Sequence, residues 1–432
     1  KLNQIFNRAI SICPYKILIQ LSEECQSFLE AAEYDLDKQF EAAKGFIKEK
    51  GFFPRNNQLG IKYLKHSLKN GCLKSLIYYC KMLIKGKHIP KNSIKAKKLI
   101  DSLPSDQEST KLYLYGLLYY DEKQYNEAFK SFEESINLGN IDAMLEYGIK
   151  LHKGDGITTP IEDEEIFKYY LMAIDNGSIK AMYKLGKILL TSKKNIKDGV
   201  EYIKNAANNN YPKALYYYSL MLENGNDVTP DIEQSKKYLA KAAELDNIKA
   251  MNKYGLQIHS LTYLRKASNT GKISYIRDYG MELIKDEKHQ REGANLIKIA
   301  ANEGDPISMK VYGDLLFNGR GVDIDVDEAI NYYKMAIDKN NIDAIHSYAE
   351  ILQYGLRMEE NPDEAMKIYR KGIDQGDTRS MFNLSMMLFQ KGDTKEALNY
   401  MSKAYFQGDE YTQNLYKTII HEFGDATVTA MD

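Results

Sequence analysis

The sequence predicts an all-α protein, a superhelical solenoid of about eleven antiparallel helix–turn–helix repeats. Three observations predict this fold class. A motif of the form small–Met/Leu–x–x–Tyr–Gly recurs along the chain, mostly at intervals of 32 to 38 residues, and such intervals are typical of stacked helical hairpins. A small residue lies eight positions before nearly every recurrence. The apolar positions of each motif follow the 3.6-residue period of an α-helix.

The first helix of each repeat, helix A, contains the motif. Clear copies are "DAMLEYG" at Ala143, "KAMYKLG" at Ala181 and "KAMNKYG" at Ala250. Tyrosine fills the fourth position after the start in eight of eleven copies, and a buried tyrosine contributes a large apolar ring. We therefore interpret most of the tyrosines as packing residues, with a tyrosine-lined binding groove as the alternative. The motif starts at Phe40, Ser75, Lys111, Ala143, Ala181, Ala214, Ala250, Tyr275, Ser308, Ala344 and Ser380.

The second helix, helix B, ends soon after the small residue that precedes each motif. The spacing of eight stays constant while the length of the repeat varies, so we expect a rigid junction from helix B to the next helix A. Helix-ending glycines such as Gly139 and Gly177 lie within it. Leu103 takes the place of the small residue in one copy. The small residues are Ala32, Ser67, Ser135, Ala173, Ala206, Ala242, Ala267, Ala300, Ala336 and Gly372.

A Gly-x-Gly element follows helix A in some copies, at Gly154 to Gly156 and at Gly319 to Gly321. A phosphate-binding loop would need a preceding strand and a further glycine. Here a predicted helix precedes the element, and the same element recurs in two repeats. We therefore predict that these glycines end helix A and turn the chain.

This combination of small–Met–x–x–Tyr–Gly, Gly-x-Gly-Val/Ile and Ala-x-x-Tyr-Tyr-x-x-Ala resembles the Sel-like repeat family, a branch of the tetratricopeptide-repeat superfamily. The segment "SMKVYGDLLFNGRGVDIDVDEAINYYKMAIDKN", residues 308–340, carries all three elements. The resemblance covers roughly residues 40–408 and is weakest at 40–74 and 107–141, where the Gly-x-Gly is absent. It implies a curved superhelical scaffold that binds other proteins, as adaptors do in assembly, degradation and signalling complexes.

The copy that starts at Ala250 is too short. Only 12 residues separate Gly255 from Ala267, whereas other copies use 19 to 25 between these positions. Either both helices are cut short, or a loop of about 8 to 13 residues is missing from the sequence, an estimate from the normal repeat length. We favour the missing loop.

Charge is distributed very unevenly. Residues 1–100 carry a net charge of +11, and the remaining 332 residues carry −12. Residues 51–100 contain twelve basic residues and no Asp or Glu. Such a field attracts polyanions, and lysine favours an acidic protein surface over the bidentate recognition of phosphates or bases, in which arginine is preferred. We predict partner binding by Arg55, Lys62, Lys65, Lys69, Lys74, Lys81, Lys85, Lys87, Lys91, Lys95, Lys97 and Lys98.

No motif predicts catalysis, a cofactor or a metal. The seven histidines show no H-E-x-x-H pattern and no zinc spacing with the four cysteines. The three alternate aspartates of "DIDVDEA" (323–329) lack the Gly and Glu that complete a calcium loop. They are predicted to begin a helix B, where acidic residues favour the helix dipole.

The predicted function is therefore a non-catalytic scaffold or adaptor in a multiprotein assembly, whose basic N-terminal repeats dock an acidic protein surface. Two alternatives stay open: an RNA- or polyanion-binding solenoid, and a structural protein that self-assembles head to tail through its oppositely charged ends. No segment predicts a membrane span. The low cysteine content predicts a cytoplasmic location, with association to the cytoskeleton as a narrower hypothesis.

The predicted domain organisation has three parts. Residues 1–34 form leading helices, residues 35–408 form the repeat solenoid with its basic region at 51–100, and residues 409–432 form a capping helix and tail. Terminal units of this kind cover the otherwise exposed stacking face of a solenoid.

Overall fold

The computed structural model of the chain describes residues 23–32, 35–48, 56–156, 161–407 and 413–414. These residues form 23 α-helices and contain no β-strand. The predicted fold class, an all-α solenoid of antiparallel helix pairs, is confirmed. No helix in the described ranges is long and apolar enough to cross a membrane.

The chain divides into two compact units, residues 1–254 and 255–432, and the division falls inside the helix Ile248–Gln257. Two short 3-10 helices, Ser105–Gln107 and Glu287–His289, precede the helices Glu108–Asp121 and Gln290–Asn302. The helices of the first unit are α1 (Glu23–Ala31), α2 (Leu36–Lys48), α3 (Asn57–Lys69), α4 (Leu73–Lys85), α5 (Ser93–Asp101), α6 (Glu108–Asp121), α7 (Tyr125–Asn137), α8 (Ile141–Lys153), α9 (Asp163–Asp175), α10 (Ile179–Ser192), α11 (Ile196–Asn208), α12 (Pro212–Asn224), α13 (Ile232–Glu244) and most of α14 (Ile248–Gln257). Those of the second unit are α15 (Leu261–Ser268), α16 (Ile273–Leu283), α17 (Gln290–Asn302), α18 (Pro306–Asn318), α19 (Val326–Asp338), α20 (Ile342–Tyr354), α21 (Pro362–Asp374), α22 (Thr378–Lys391) and α23 (Thr394–Gln407).

Each unit is a row of hairpins in which an even-numbered helix is helix A and the following odd-numbered helix is helix B. Eleven such pairs follow one another from α2 to α23 among the described residues. Helix α1 precedes them and ends at Ala31, within the segment predicted to contain leading helices. The predicted capping helix and tail (409–432) lie outside the described residues except for 413–414.

The short copy from Ala250 is folded as two shortened helices. Helix α14 has 10 residues and α15 has 8, whereas most of the other helices have 13 or 14. A turn closed by a hydrogen bond from the Ser260 amide to the Gly255 carbonyl, 2.9 Å long, joins them. Both helices are therefore short in this sequence, and the missing loop stays a prediction.

The junction of eight residues between helix B and helix A contains two overlapping capping motifs. After Ser135, Gly139 adopts a positive φ of 78°, and the amide of Asn140 donates to the Ser135 carbonyl over 3.1 Å. This is the bonding pattern that ends a helix in a left-handed residue. Asn140 is at the same time the N-cap of α8, since its side chain accepts from the Ala143 amide at 3.0 Å. The end of one helix and the start of the next share residues, so the spacing cannot vary.

Other junctions repeat this geometry. The carbonyl of the small residue accepts from the amide five positions later in the junctions that begin at Ser67, Ala173, Ala206, Ala242, Ala300, Ala336 and Gly372. The residues at the two ends of the spacing also touch: the Ser75 hydroxyl donates to the Ser67 hydroxyl over 2.8 Å. A Cβ added to Gly372 would lie 2.2 Å from the Ser380 Oγ. Small residues are needed at both ends because the two helices meet there.

The Gly-x-Gly element turns the chain, as predicted, and its two glycines have different tasks. Gly154 ends α8 with a φ of 78°, and an added Cβ would meet nothing within 4 Å. Gly156 also has a positive φ, but its Cβ would lie 2.1 Å from the ring of Tyr125 on the preceding helix B. In the second unit, Gly321 approaches the Gln290 carbonyl in the same way, with 2.4 Å to an added Cβ. The second glycine therefore lets the turn pack against the preceding repeat.

The interpretation of the tyrosines as packing residues holds for six of the eight copies. Tyr79, Tyr147, Tyr218, Tyr279, Tyr312 and Tyr348 are buried, each at most 7% exposed. Tyr115 and Tyr254 are half-buried. The buried tyrosines also make edge-on ring contacts, for example between Tyr312 and Tyr332, whose ring centroids are 4.8 Å apart.

Candidate protein-interaction surface

Helix α3 presents three of the predicted lysines on one face. Lys62, Lys65 and Lys69 are exposed and follow the i, i+3, i+7 spacing, whereas Tyr63 and Leu64 between them are buried. The apolar face packs on α2, where the Tyr63 ring stacks on a phenylalanine at 5.7 Å. Burial of this face forces the three ammonium groups outward into solvent.

The lysines of α4 are partly used inside the protein. Lys74 forms an ion pair with Asp37 of α2 at 2.8 Å. Lys81 pairs with Asp142 of α8 at 3.3 Å and also lies 4.7 Å above the ring centroid of Tyr113. Lys74 thus links α4 to the preceding A helix, and Lys81 links it to the second A helix that follows. Both lysines are less suited to a partner than the prediction supposed.

The turn after α4 and helix α5 carry five more of the predicted lysines. Lys91 forms an ion pair with Asp121, and the Lys95 ammonium lies 5.5 Å from the ring centroid of Tyr79. Lys97 and Lys98 extend from α5 into solvent, opposite the buried Ala96.

Seven of the predicted lysines form neither an ion pair nor a cation–π contact with any described residue: Lys62, Lys65, Lys69, Lys85, Lys87, Lys97 and Lys98. All seven are exposed. We call this set the lysine surface. Arg55, the remaining predicted residue, lies outside the described residues.

A second basic cluster surrounds Glu146 on neighbouring A helices and was not predicted. Lys180 of α10 lies 3.8 Å from the Glu146 carboxylate. Burial lowers the pKa of Lys150 and of Lys184, and Glu146 partly opposes this by favouring their charged forms. The three lysines belong to two repeats, so no local spacing in the sequence could have indicated the cluster.

The acidic segment "DIDVDEA" begins a helix B, as predicted. The Asp325 carboxylate accepts from the Glu328 amide at 2.9 Å and begins α19. Within the described ranges no group of three or more His, Cys, Asp or Glu side chains could hold a metal ion.

Family models match the repeats that the motif defines. The model of the Sel1 repeat matches residues 141–178, 179–211, 212–247, 306–341 and 342–377. The model of a tetratricopeptide repeat matches residues 112–147 and 378–405. Most of these segments begin at the first residue of a helix A. Repeats of both families generally mediate protein–protein interaction.

Solved structures provide three further comparisons. The protective antigen c5321 of uropathogenic Escherichia coli, which displays an SLR fold, is 16% identical with a TM-score of 0.41, over 92% of this chain and 97% of that chain. A Sel1 repeat protein from Oxalobacter formigenes is 20% identical with a TM-score of 0.37, over 77% and 92%. The immunity protein Pa5087 from Pseudomonas aeruginosa is 15% identical with a TM-score of 0.30, over 46% and 82%.

No curated protein matches the chain in sequence. The repeat matches, their helix boundaries and the motif agree with one another. The chain therefore contains Sel1 repeats, with tetratricopeptide repeats on both sides of them.

Proposed function

We propose that this protein is a non-catalytic scaffold in a cytoplasmic multiprotein assembly, and that its lysine surface docks the acidic surface of a partner protein. The observation that carries the proposal is the set of seven exposed lysines that have neither an ion pair nor a cation–π contact in the described part of the chain. Residues 51–100 contain no Asp or Glu, and the carboxylates of Asp37, Asp121 and Asp142, which reach this region from other helices, are paired with Lys74, Lys91 and Lys81.

The chemistry of the surface favours carboxylates. Ammonium groups are compact, strongly hydrated point charges on flexible stems, suited to long-range attraction of clustered Asp and Glu side chains. Recognition of bases or phosphates usually uses arginine and stacking aromatic rings. None of the seven residues is an arginine.

Binding of a defined acidic polymer tests the proposal. Fluorescein-labelled poly-L-glutamate is titrated with the full chain in 50 mM and 200 mM salt and followed by fluorescence anisotropy. The triple variant K62Q/K65Q/K69Q is expected to bind roughly 3- to 100-fold more weakly, since each exposed charge contact contributes a small amount. The matched control K236Q/K237Q/K241Q also removes three exposed lysines from a B helix, α13, and is expected to bind like the unchanged protein.

The two alternatives give different results. A nucleic-acid binder would bind poly(U) RNA more tightly than poly-L-glutamate and would lose affinity steeply with salt. A head-to-tail assembly would scatter more light as its concentration rises at low salt, and the K62Q/K65Q/K69Q variant would abolish the scattering. Equal binding of both triple variants to poly-L-glutamate would refute a specific role of the lysine surface.

A further inference from the structure

The loop from helix A to helix B contributes an apolar residue to the core in several repeats. This residue stands three positions after the glycine that ends helix A: Ile89 after Gly86, Val322 after Gly319 and Met358 after Gly355. Ile89, Val322 and Met358 are partly buried against the cores of their units. Val228 and Ile157 occupy the same position in two further copies; Val228 is half-buried and Ile157 lies outside the described residues.

The copy that starts at Ala181 has no such loop. Helix α10 ends at Ser192, Lys193 takes a left-handed conformation, and Asn195 is already the N-cap of α11. The apolar residue that other copies insert is therefore missing. A cavity of about 540 Å³ occupies the corresponding position, between α9, α10 and α11.

The walls of this cavity are apolar. Phe167 and Leu171 of α9 form one side, and Leu185 and Leu189 of α10 form the floor. Leu171 is 39% exposed, which is high for a leucine between two helices. The volume lies in the range of pockets that bind small ligands or side chains. We call this cavity the open slot.

The rim of the open slot is acidic. Glu162 and Glu164 at the start of α9 and Asp198 on α11 line it and are exposed. The single basic residue of the rim, Lys194, already forms an ion pair with Asp163.

Tyr202, which also lines the open slot, lies in the same negatively charged environment. Burial raises the pKa of the Tyr202 hydroxyl, and the carboxylates of Asp198, Asp175 and Glu201 raise it further. The open slot therefore presents an apolar interior inside a negatively charged rim.

We propose that the open slot binds an extended segment of a partner protein in which an apolar side chain is flanked by lysine or arginine. The apolar side chain takes the place that Ile89, Val322 and Met358 take in their own repeats, and the flanking cations face Glu162, Glu164 and Asp198. This site is separate from the lysine surface and has the opposite charge, so the two surfaces bind different partners or different parts of one.

A peptide copied from the chain itself is a suitable probe. Residues 85–92, "KGKHIPKN", contain the loop whose Ile89 packs on the core, together with lysines on both sides. The full chain with ¹³C-labelled leucine and isoleucine methyl groups is titrated with this peptide up to millimolar concentration. The methyl signals of Leu171, Leu185 and Leu189 are expected to shift. A matched peptide with Ser in place of the isoleucine, which leaves the net charge unchanged, is expected to bind at least tenfold more weakly.

Two variants of the protein test the location. Leu171→Asp is expected to reduce peptide binding at least tenfold. Leu138→Asp is the control, since Leu138 is also exposed, at 56%, but does not line the open slot. In a second variant, Lys193 and Lys194 are replaced by a copy of residues 319–324, "GRGVDI". The copied loop contains the equivalent of Val322, which is expected to fill the open slot. This variant is expected to stay folded and to lose peptide binding.

Several outcomes would overturn the proposal. Equal binding of the Ile and Ser peptides would show that only charge matters, and unchanged binding to Leu171→Asp or to the loop graft would place the peptide elsewhere. Concentration-dependent self-association that Leu171→Asp abolishes would make a second copy of the chain the occupant. Neither variant alters the lysine surface, so the poly-L-glutamate experiment succeeds or fails independently.

Discussion

Replacing Gly372 by alanine is expected to destabilise the protein, and replacing Ser380 by alanine in addition is expected to reverse the effect. Gly372 lies in α21, where alanine is favoured over glycine by about 1 kcal/mol. Against this gain, the new Cβ would lie 2.2 Å from the Ser380 Oγ and 2.8 Å from its Cβ. Overpacking of this kind costs about 1 to 3 kcal/mol. Gly372→Ala alone should therefore lower the free energy of unfolding by about 0 to 2 kcal/mol.

The double variant removes the contact with the Oγ and keeps the gain in helix propensity, whereas the Cβ–Cβ contact of 2.8 Å remains and must relax by a small shift. It recreates the Ala–Ala pair that other junctions already contain, for example Ala336 with Ala344, and should match the unchanged protein in stability or exceed it by up to about 1 kcal/mol. Urea unfolding followed by circular dichroism, with Ser380→Ala completing the cycle, measures the coupling energy, expected at about 1 to 3 kcal/mol. Additive effects of the two substitutions would show that the two helices do not meet at these residues.

Two further predictions concern a turn and a buried contact between a histidine and an aspartate. Gly154→Ala is expected to cost about 1 kcal/mol, through its positive φ alone, whereas Gly156→Ala should cost about 2 to 4 kcal/mol because its Cβ also meets the Tyr125 ring; equal losses in thermal unfolding would disprove the packing role of the second glycine. His346 lies 3.0 Å from Asp377, and both are nearly buried. Burial raises the pKa of Asp377, but hydrogen bonds from His346 and a serine outweigh it and lower that pKa to about 2. The stability that this carboxylate provides is thus present above about pH 4 and lost as the pH falls toward 2. His346→Leu should destabilise by about 3 kcal/mol at pH 7 and much less at pH 2.5; a loss independent of pH would contradict the pairing.

The repeat architecture could be predicted from the sequence because its signals are local. The spacing of eight between Ser135 and Ala143 follows from hydrogen bonds within the same short segment. Small residues recur at both ends of this spacing, and the two ends touch. Helix ends at glycines such as Gly154 are equally local.

Contacts between repeats could not be predicted. The second task of Gly156 depends on Tyr125 in the preceding repeat, and Lys81 pairs with Asp142 across 61 residues. For this reason the prediction assigned more lysines to partner binding than the structure leaves without an ion pair. The open slot was missed because its signal is the absence of a loop after Ser192, and a sequence does not show whether neighbouring side chains close such a gap.

Lysine cross-linking with mass spectrometry on the native complex tests most directly the claim that the lysine surface docks an acidic partner. Lys62, Lys65, Lys69, Lys97 and Lys98 are expected to form cross-links to lysines beside acidic segments of another polypeptide, whereas Lys236, Lys237 and Lys241 are not. If the first group carries only dead-end modifications from the cross-linker, or links only to a second copy of this chain, the lysine surface does not bind a separate acidic protein.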